Sequence, residues 1–297
     1  EGNSRMIRIG DFEITRIEEI QLPEPSSLFA EWRAEHVAEH RDLLPRSFYD
    51  PATDCFVSSI HSWLVRTPNQ VILIDTCGGN GKPRPASPRF DHLDRPYLQR
   101  LAAAGVRPED VDVVINTHLH VDHVGWNTTL ADGAWVPTFR KARYLFPRIE
   151  REARDPMRGA ANRPLATLLP FKDSVQPILE AGMAELLEGN ETLAPGIDLM
   201  PVRGHAPGQM AVRLRSGGQE ALFIADVMHQ PVQVYHPDWN SKYCENPELA
   251  RQTRMRVLEY CAEHASLVLP AHFGAPHCGR ISRQGERFTL TLSDTMP

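Results

Sequence analysis

The residues with the clearest chemical potential lie in one short run, Thr117-His118-Leu119-His120-Val121-Asp122-His123. Within six residues, 118–123, it holds three imidazoles and one carboxylate, donors that suit Zn2+ and neighbouring first-row metals. A loop here can aim His118 and His120 to one side and Asp122 and His123 to another, which would feed two adjacent metals. The alternative is a polar loop of hydrogen-bonded histidines. That loop would have to satisfy several donors and charges with no ion present.

Three further candidates lie downstream, each next to an inferred strand. Val202-Arg203-Gly204-His205-Ala206-Pro207-Gly208-Gln209 sets His205 in a glycine-flanked turn. Phe223-Ile224-Ala225-Asp226 ends an apolar run on a carboxylate, and Leu267-Val268-Leu269-Pro270-Ala271-His272 ends another on an imidazole. Alone, each has an ordinary role: Asp226 could cap a helix, and His205 or His272 could be satisfied core residues. Their joint order favours a ligand role over these ordinary ones.

The elements that must position these groups follow from apolar patterning. Ile7, Ile9, Phe12, Ile14 and Ile17 alternate around Gly10-Asp11, which predicts a hairpin over residues 6–20. Leu28, Phe29, Trp32 and Val37 space as a short amphipathic helix within the less regular, proline-containing stretch 21–54. Strands are expected over about 56–66 and 71–76, the second being a continuous apolar run that ends in Asp75. A helix over Asp94–Ala104 stops at Gly105, and a buried strand over Val111–Asn116 leads directly into the histidine run. Strand ends are where α/β architectures commonly place chemistry.

Residues 126–163 carry Arg140, Lys141, Arg143, Arg148, Arg151, Arg154, Arg158 and Arg163 interleaved with acids. That reads as a solvated helix face with ion pairs, or more sharply as a patch attracting an anionic substrate. Further on, 175–188 reads as partly helical, and strands are expected over about 197–203, 210–215 and 220–225. Gly217-Gly218 turns the last pair, Pro247–His264 is a helix, and Ser266–Leu269 is a short strand. The alternation of strands and helices fits a layered α/β fold.

Composition bounds the partners. With 41% hydrophobic and 24% charged residues the chain is ordinary for a globular protein. A formal charge of −6 argues against nucleic acid or an anionic membrane as partner. Cys55, Cys77, Cys244, Cys261 and Cys278 are odd in number and contain no C-x-x-C pair, so they predict no disulfide framework and suit a reducing compartment. Glu1–Arg5 and the residues after Met6 lack the apolar core of a signal peptide, so the expected location is cytoplasmic.

The H-x-H-x-D-H run with the ordered His205, Asp226 and His272 resembles the metallo-β-lactamase-fold superfamily over most of the chain. The resemblance implies a single domain over 1–297, a four-layer αβ/βα sandwich with metals at one edge. The segment around 21–54 would then be an N-terminal extension or a pocket cover. It also implies that His118, His120 and His205 hold one metal, that Asp122, His123 and His272 hold the other, and that Asp226 bridges them. Two Zn2+ ions are expected, with Mn2+, Co2+ or Fe2+ able to serve. Dimerisation is common in the similar families, so a homodimer is implied.

The name of the fold does not set the substrate. Zinc β-lactamases generally lack the bridging aspartate found here as Asp226. Glyoxalase-like thioesterases share the ligands, but no basic C-terminal glutathione-binding pattern occurs here. The nearer resemblance is to N-acyl homoserine lactonases and methyl parathion hydrolase, carried by His118–Gly125, Gly204–Gln209 and Asp226–Gln233. Many compact lactonases place a tyrosine three residues after the bridging aspartate. His229 stands there in this chain, more like the methyl parathion hydrolase group.

What this implies is hydrolysis of a small-molecule lactone or carboxylic ester by a metal-bound hydroxide. Asp122 and Asp226 would act as catalytic ligands and His229 as a donor to substrate or leaving group. Organophosphate triester hydrolysis, β-lactam hydrolysis and a mononuclear iron oxidoreductase acting on sulfur compounds are the alternatives. Trp126, Phe29, Trp32, Phe48 and Phe273 are candidate pocket walls, with Tyr49, Trp63, Trp135, Phe139 and Trp239 as further aromatics that could equally fill the core.

Overall fold

A computed structural model describes residues 6–33, 35–40, 45–158 and 164–292. Arg163 of the basic run lies outside them. The chain divides into two compact units, each built from two stretches: Glu1–Ile20 with Ile60–Glu188, and Gln21–Ser59 with Gly189–Pro297.

In the first unit the predicted hairpin forms, with Ile7 opposite Ile14 and Ile9 opposite Phe12. Strand Cys55–Arg66 turns back into strand Val71–Ile74, which runs parallel to Val113–Ile115. That strand is parallel in turn to Arg143–Pro147, and the last to Ala184–Leu187. Parallel neighbours need a crossover, and helix Tyr97–Ala103 lies within the one joining Val71–Ile74 to Val113–Ile115. It stops where Gly105 takes φ 78°, a conformation that costs glycine little. All three residues of Val113–Ile115 are buried, as its unbroken apolar run requires.

The stretch after residue 126 differs from expectation. Strands Thr128–Ala131 and Ala134–Pro137 form a hairpin around Asp132-Gly133, both at positive φ. Among the described residues of this stretch helix is confined to Arg148–Arg154, and Glu150 and Arg154 on it are buried, so this is not simply a solvated face. Three of the basic side chains pair with acids, Arg143 with Glu185 at 2.8 Å, Arg148 with Glu188 at 2.7 Å and Arg151 with Asp155 at 3.1 Å.

The second unit holds a seven-stranded sheet in the order Thr192–Ala194, Ile197–Pro201, Met210–Ser216, Gln219–Ala225, Leu267–Pro270, Gly279–Gln284, Arg287–Leu292. Only the Gln219–Ala225 and Leu267–Pro270 pair is parallel. The helix Pro247–His264 between them matches its predicted bounds, capped by the Asn246 side chain, which accepts from the Leu249 amide at 3.1 Å. The closing hairpin 279–292 was not anticipated, because its polar edge positions dilute the alternation.

Stretch 21–59 is built into this unit's core. Leu28, Phe29, Trp32, Phe48, Tyr49 and Phe56 pack with Trp239 and Phe273 in one apolar cluster. The helix expected from Leu28, Phe29, Trp32 and Val37 does not form as one element. Strand continues to Pro25, a short 3-10 turn covers Ser26–Leu28, Phe29 bridges to Ser241, and helix begins only at Glu35. Packing explains the difference. Trp32 sits 4.8 Å from Phe56 and 5.2 Å from Tyr49, ring centre to ring centre, and Phe29 sits 5.4 Å from Phe56. Among the described residues, no helix is long and apolar enough to cross a membrane.

Candidate metal centre

In the first unit the histidine run begins directly after strand Val113–Ile115, and Asp75, directly after the neighbouring strand, organises it. Asp75 is buried at φ 57° and accepts from the Thr117 amide and hydroxyl, each at 2.8 Å. Its Oδ2 also lies 2.8 Å from His123 Nδ1. A carboxylate only accepts, so His123 carries its proton on Nδ1 and presents a lone pair at Nε2. The His123 carbonyl takes donors from Asn116 at 2.6 Å and Thr76 at 2.8 Å, which fixes the backbone behind the ring. His118 Nδ1 lies 3.1 Å from Thr117 Oγ1, and its Nε2 faces His120 Nδ1 at 3.1 Å. His120 Nε2 lies 3.1 Å from the Arg154 guanidinium, which also meets Glu150 at 3.2 Å. Asp122 Oδ1 stands 3.8 Å from His123 Nε2.

Glu19 braces the loop that follows. Its carboxylate accepts from the Gly78 and Gly79 amides at 2.8 and 2.9 Å and from the Trp126 indole at 2.6 Å. Burial pushes its pKa up, against the lowering by those three donors. Gly125 lies so close to this loop that a Cβ would stand 1.9 Å from the Gly78 oxygen.

In the second unit Asp226 follows strand Gln219–Ala225, whose last residue takes φ 50°. His205 Nε2, His229 Nε2 and His272 Nε2 each lie 3.2 Å from Asp226 Oδ2. All four side chains are buried. Gly204 allows the tight turn that sets His205, since a Cβ there would meet the Ala250 amide nitrogen at 2.3 Å. The Glu245 amide donates to the His205 carbonyl at 3.0 Å. The His229 amide donates to Gln233 Oε1 at 2.6 Å, and burial lowers the imidazole's pKa despite the opposing pull of Asp226.

His272 tests whether a cation fits. Its Nδ1 lies 3.1 Å from the Ser59 carbonyl oxygen, which only accepts, so Nδ1 carries the proton. In the neutral ring Nε2 is then a lone pair, and it faces a carboxylate oxygen. Two acceptors at 3.2 Å are reconciled by a cation between them or by a second proton on the ring. The acceptors behind His123 and His272, Asp75 and the Ser59 carbonyl, are those expected of metal-ligating histidines. The donor set fits a first-row divalent ion.

The structure thus places His118, His120, Asp122 and His123 together in one unit and His205, Asp226, His229 and His272 together in the other. Sequence reasoning passed over Asp75 and Glu19 as functional groups. For Asp75 the signal existed: it ends an apolar strand with an acid, just as Asp226 does. The five aromatics expected to wall a pocket, Trp126, Phe29, Trp32, Phe48 and Phe273, are all buried. Phe29, Trp32, Phe48 and Phe273 belong to the second unit's apolar cluster. Trp126 stacks on Tyr97 at 5.1 Å in the first unit.

The family model of the metallo-beta-lactamase superfamily matches residues 56–287. An N-acyl homoserine lactonase of Bacillus sp is 25% identical over 61% of this chain and 66% of its own length, just under two thirds. The N-acyl homoserine lactonase AiiB of Agrobacterium fabrum is 24% identical over 72% of this chain and 79% of its own. Among solved structures, the hydrolase AbOPH of the beta lactamase superfamily superposes with a TM-score of 0.82 at 25% identity. That match covers 98% of this chain and 97% of the other. AidC, a dizinc quorum-quenching lactonase, superposes with a TM-score of 0.75 at 22% identity over 99% and 98% of the two chains, a likeness of fold. The fold is therefore the α/β fold of the metallo-β-lactamase type, and the chain belongs to the metallo-beta-lactamase superfamily.

Proposed function

We propose that the two ligand sets serve one dinuclear centre in a chain acting as a single hydrolase, which opens a lactone or carboxylic ester of a small molecule. The facing lone pairs of His272 Nε2 and Asp226 Oδ2 carry this reading, because a cation resolves them most simply. Support comes from the lactonase relatives and from the sequence order of the ligands. His118, His120 and His205 would hold one ion, Asp122, His123 and His272 the other, and Asp226 both. Bound divalent metals supply Lewis acidity and lower the pKa of a water from ~15.7 to about 7. Zn2+ suits the imidazole-rich set, and Mn2+, Co2+ and Fe2+ share its donors.

The chain's own residues do the rest. Asp75 and the Ser59 carbonyl hold His123 and His272 in the tautomer that offers Nε2. His229, kept neutral by burial beside Asp226, would donate to the substrate or the departing oxygen. One observation favours a second reading. His229 occupies the place where many lactonases carry tyrosine, so phosphotriester hydrolysis is the next activity to assay. Metal content and turnover measured together on matched lactone, aryl ester and phosphotriester substrates test both readings. Metal-bound protein inert on all three would reject them.

A further inference from the structure

We propose a separate divalent-metal site in the second unit, formed by Glu39, His40 and His236. His40 Nε2 faces His236 Nε2 at 2.8 Å, and one ligand atom from each of the three residues lies within 4.8 Å of the others. Two imidazole nitrogens at this distance must share a proton or a cation. The carboxylate beside them favours the cation, because an N,N,O donor set with open positions for water suits Zn2+ and its neighbours. A tetrahedral ion binding both nitrogens at about 2.0–2.1 Å would set them about 3.3 Å apart, an opening of about half an ångström. Neither ring is locked in the core, so that adjustment is small.

Both sides of the site are presented by defined elements. The His40 amide donates to the His36 carbonyl at 3.0 Å, which carries the helical turn of Glu35–Glu39 onto His40. His236 follows helix Val232–Tyr235, its amide donating to the Val232 carbonyl at 2.9 Å, and its ring lies flat on Trp239 at 4.1 Å. The helix Glu35–Glu39 is five residues long and buries none of them. Such a helix has little intrinsic stability. A metal joining its end to His236 would hold it in place, so the site acts as a clasp. It stands apart from the seven ligands assigned above and does not depend on the hydrolase reading.

The test uses the full metal-free chain titrated with Zn2+ near pH 7.5, counting bound zinc by mass spectrometry. His40→Ala and His236→Ala are each expected to hold one zinc fewer per chain than the unsubstituted protein. Glu39→Gln, an exposed change that leaves folding intact, is expected to weaken that zinc about tenfold. Hydrolytic turnover is expected to stay unchanged in all three. As a check that needs no substitution, zinc should slow hydrogen exchange of the amides over 35–40 in the unsubstituted protein. Equal zinc counts and affinities across the series, or exchange over 35–40 that zinc leaves unaltered, would overturn the proposal.

Discussion

His272 meets the Ser59 carbonyl through Nδ1 at 3.1 Å and Asp226 Oδ2 through Nε2 at 3.2 Å, so one ring is oriented by backbone and aimed at a carboxylate. His123 repeats the device in the other unit, with Asp75 at its Nδ1. In each case the partner behind the ring decides which nitrogen is offered.

Asp75→Asn tests that device. Asp75 Oδ2 serves both His123 Nδ1 and the Thr117 hydroxyl, and an amide cannot satisfy them all. Metal affinity should fall about 10–100-fold, with turnover recovered by excess metal. Unchanged affinity in a competition titration against a chelator would show that Asp75 does not orient His123.

His229→Phe separates metal binding from proton donation. The ring is buried and held neutral, and it lies 3.2 Å from Asp226. The variant should keep its full metal count while kcat drops about 10²-fold or more, the usual worth of a positioned donor. A parallel loss of metal would instead make His229 a ligand.

Gly125→Ala examines the loop brace. The added Cβ would stand 1.9 Å from the Gly78 oxygen, on the backbone that Glu19 holds through two amides. The loop must shift, and about 1–3 kcal/mol of stability should be lost. Urea unfolding with an unshifted midpoint would show that the approach is looser than the geometry indicates.

Lys82 gives a pH prediction that involves none of the proposed metal ligands. Its ammonium is buried, 2.8 Å from Thr128 Oγ1, 3.6 Å from Asp173 and 3.6 Å above the Trp135 ring. Burial pulls its pKa down to about 7 from 10.5, against the opposing attraction of Asp173. The unfolded chain therefore takes up this proton first as pH falls. The cost to the fold is absent above about pH 10.5, grows below that and is complete once pH drops past about 7. Lys82→Met leaves Asp173 bound by both Arg84 nitrogens at 2.6 and 2.7 Å. It should stabilise the protein by about 1–4 kcal/mol near pH 7, and the gain should shrink toward pH 10. Denaturant melts across that range give the answer, and a gain that grows with pH would contradict it.

Much of this was legible in the sequence. Apolar runs gave Val71–Ile74, Val113–Ile115 and Leu267–Pro270, and strand ends gave the clustered histidines and aspartates, because both depend on local order along the chain. What escaped depends on contacts between distant positions. Trp32 reads as one face of a helix but is claimed by Phe56 and Tyr49, and the bond from Glu19 to Trp126 spans more than a hundred residues. Buried Glu150 and Arg154 read as surface charges until their pairing at 3.2 Å is seen.

The most direct test of the proposed dinuclear hydrolase is a paired count of metal and lactone turnover in the unsubstituted chain and in Asp226→Ala. The expected result is about two metals per chain with chelator-sensitive turnover, and loss of metal and activity together in the variant. Full activity with two tightly held metals in Asp226→Ala would contradict the account. So would one iron per chain with oxygen uptake on a sulfur compound and no hydrolysis.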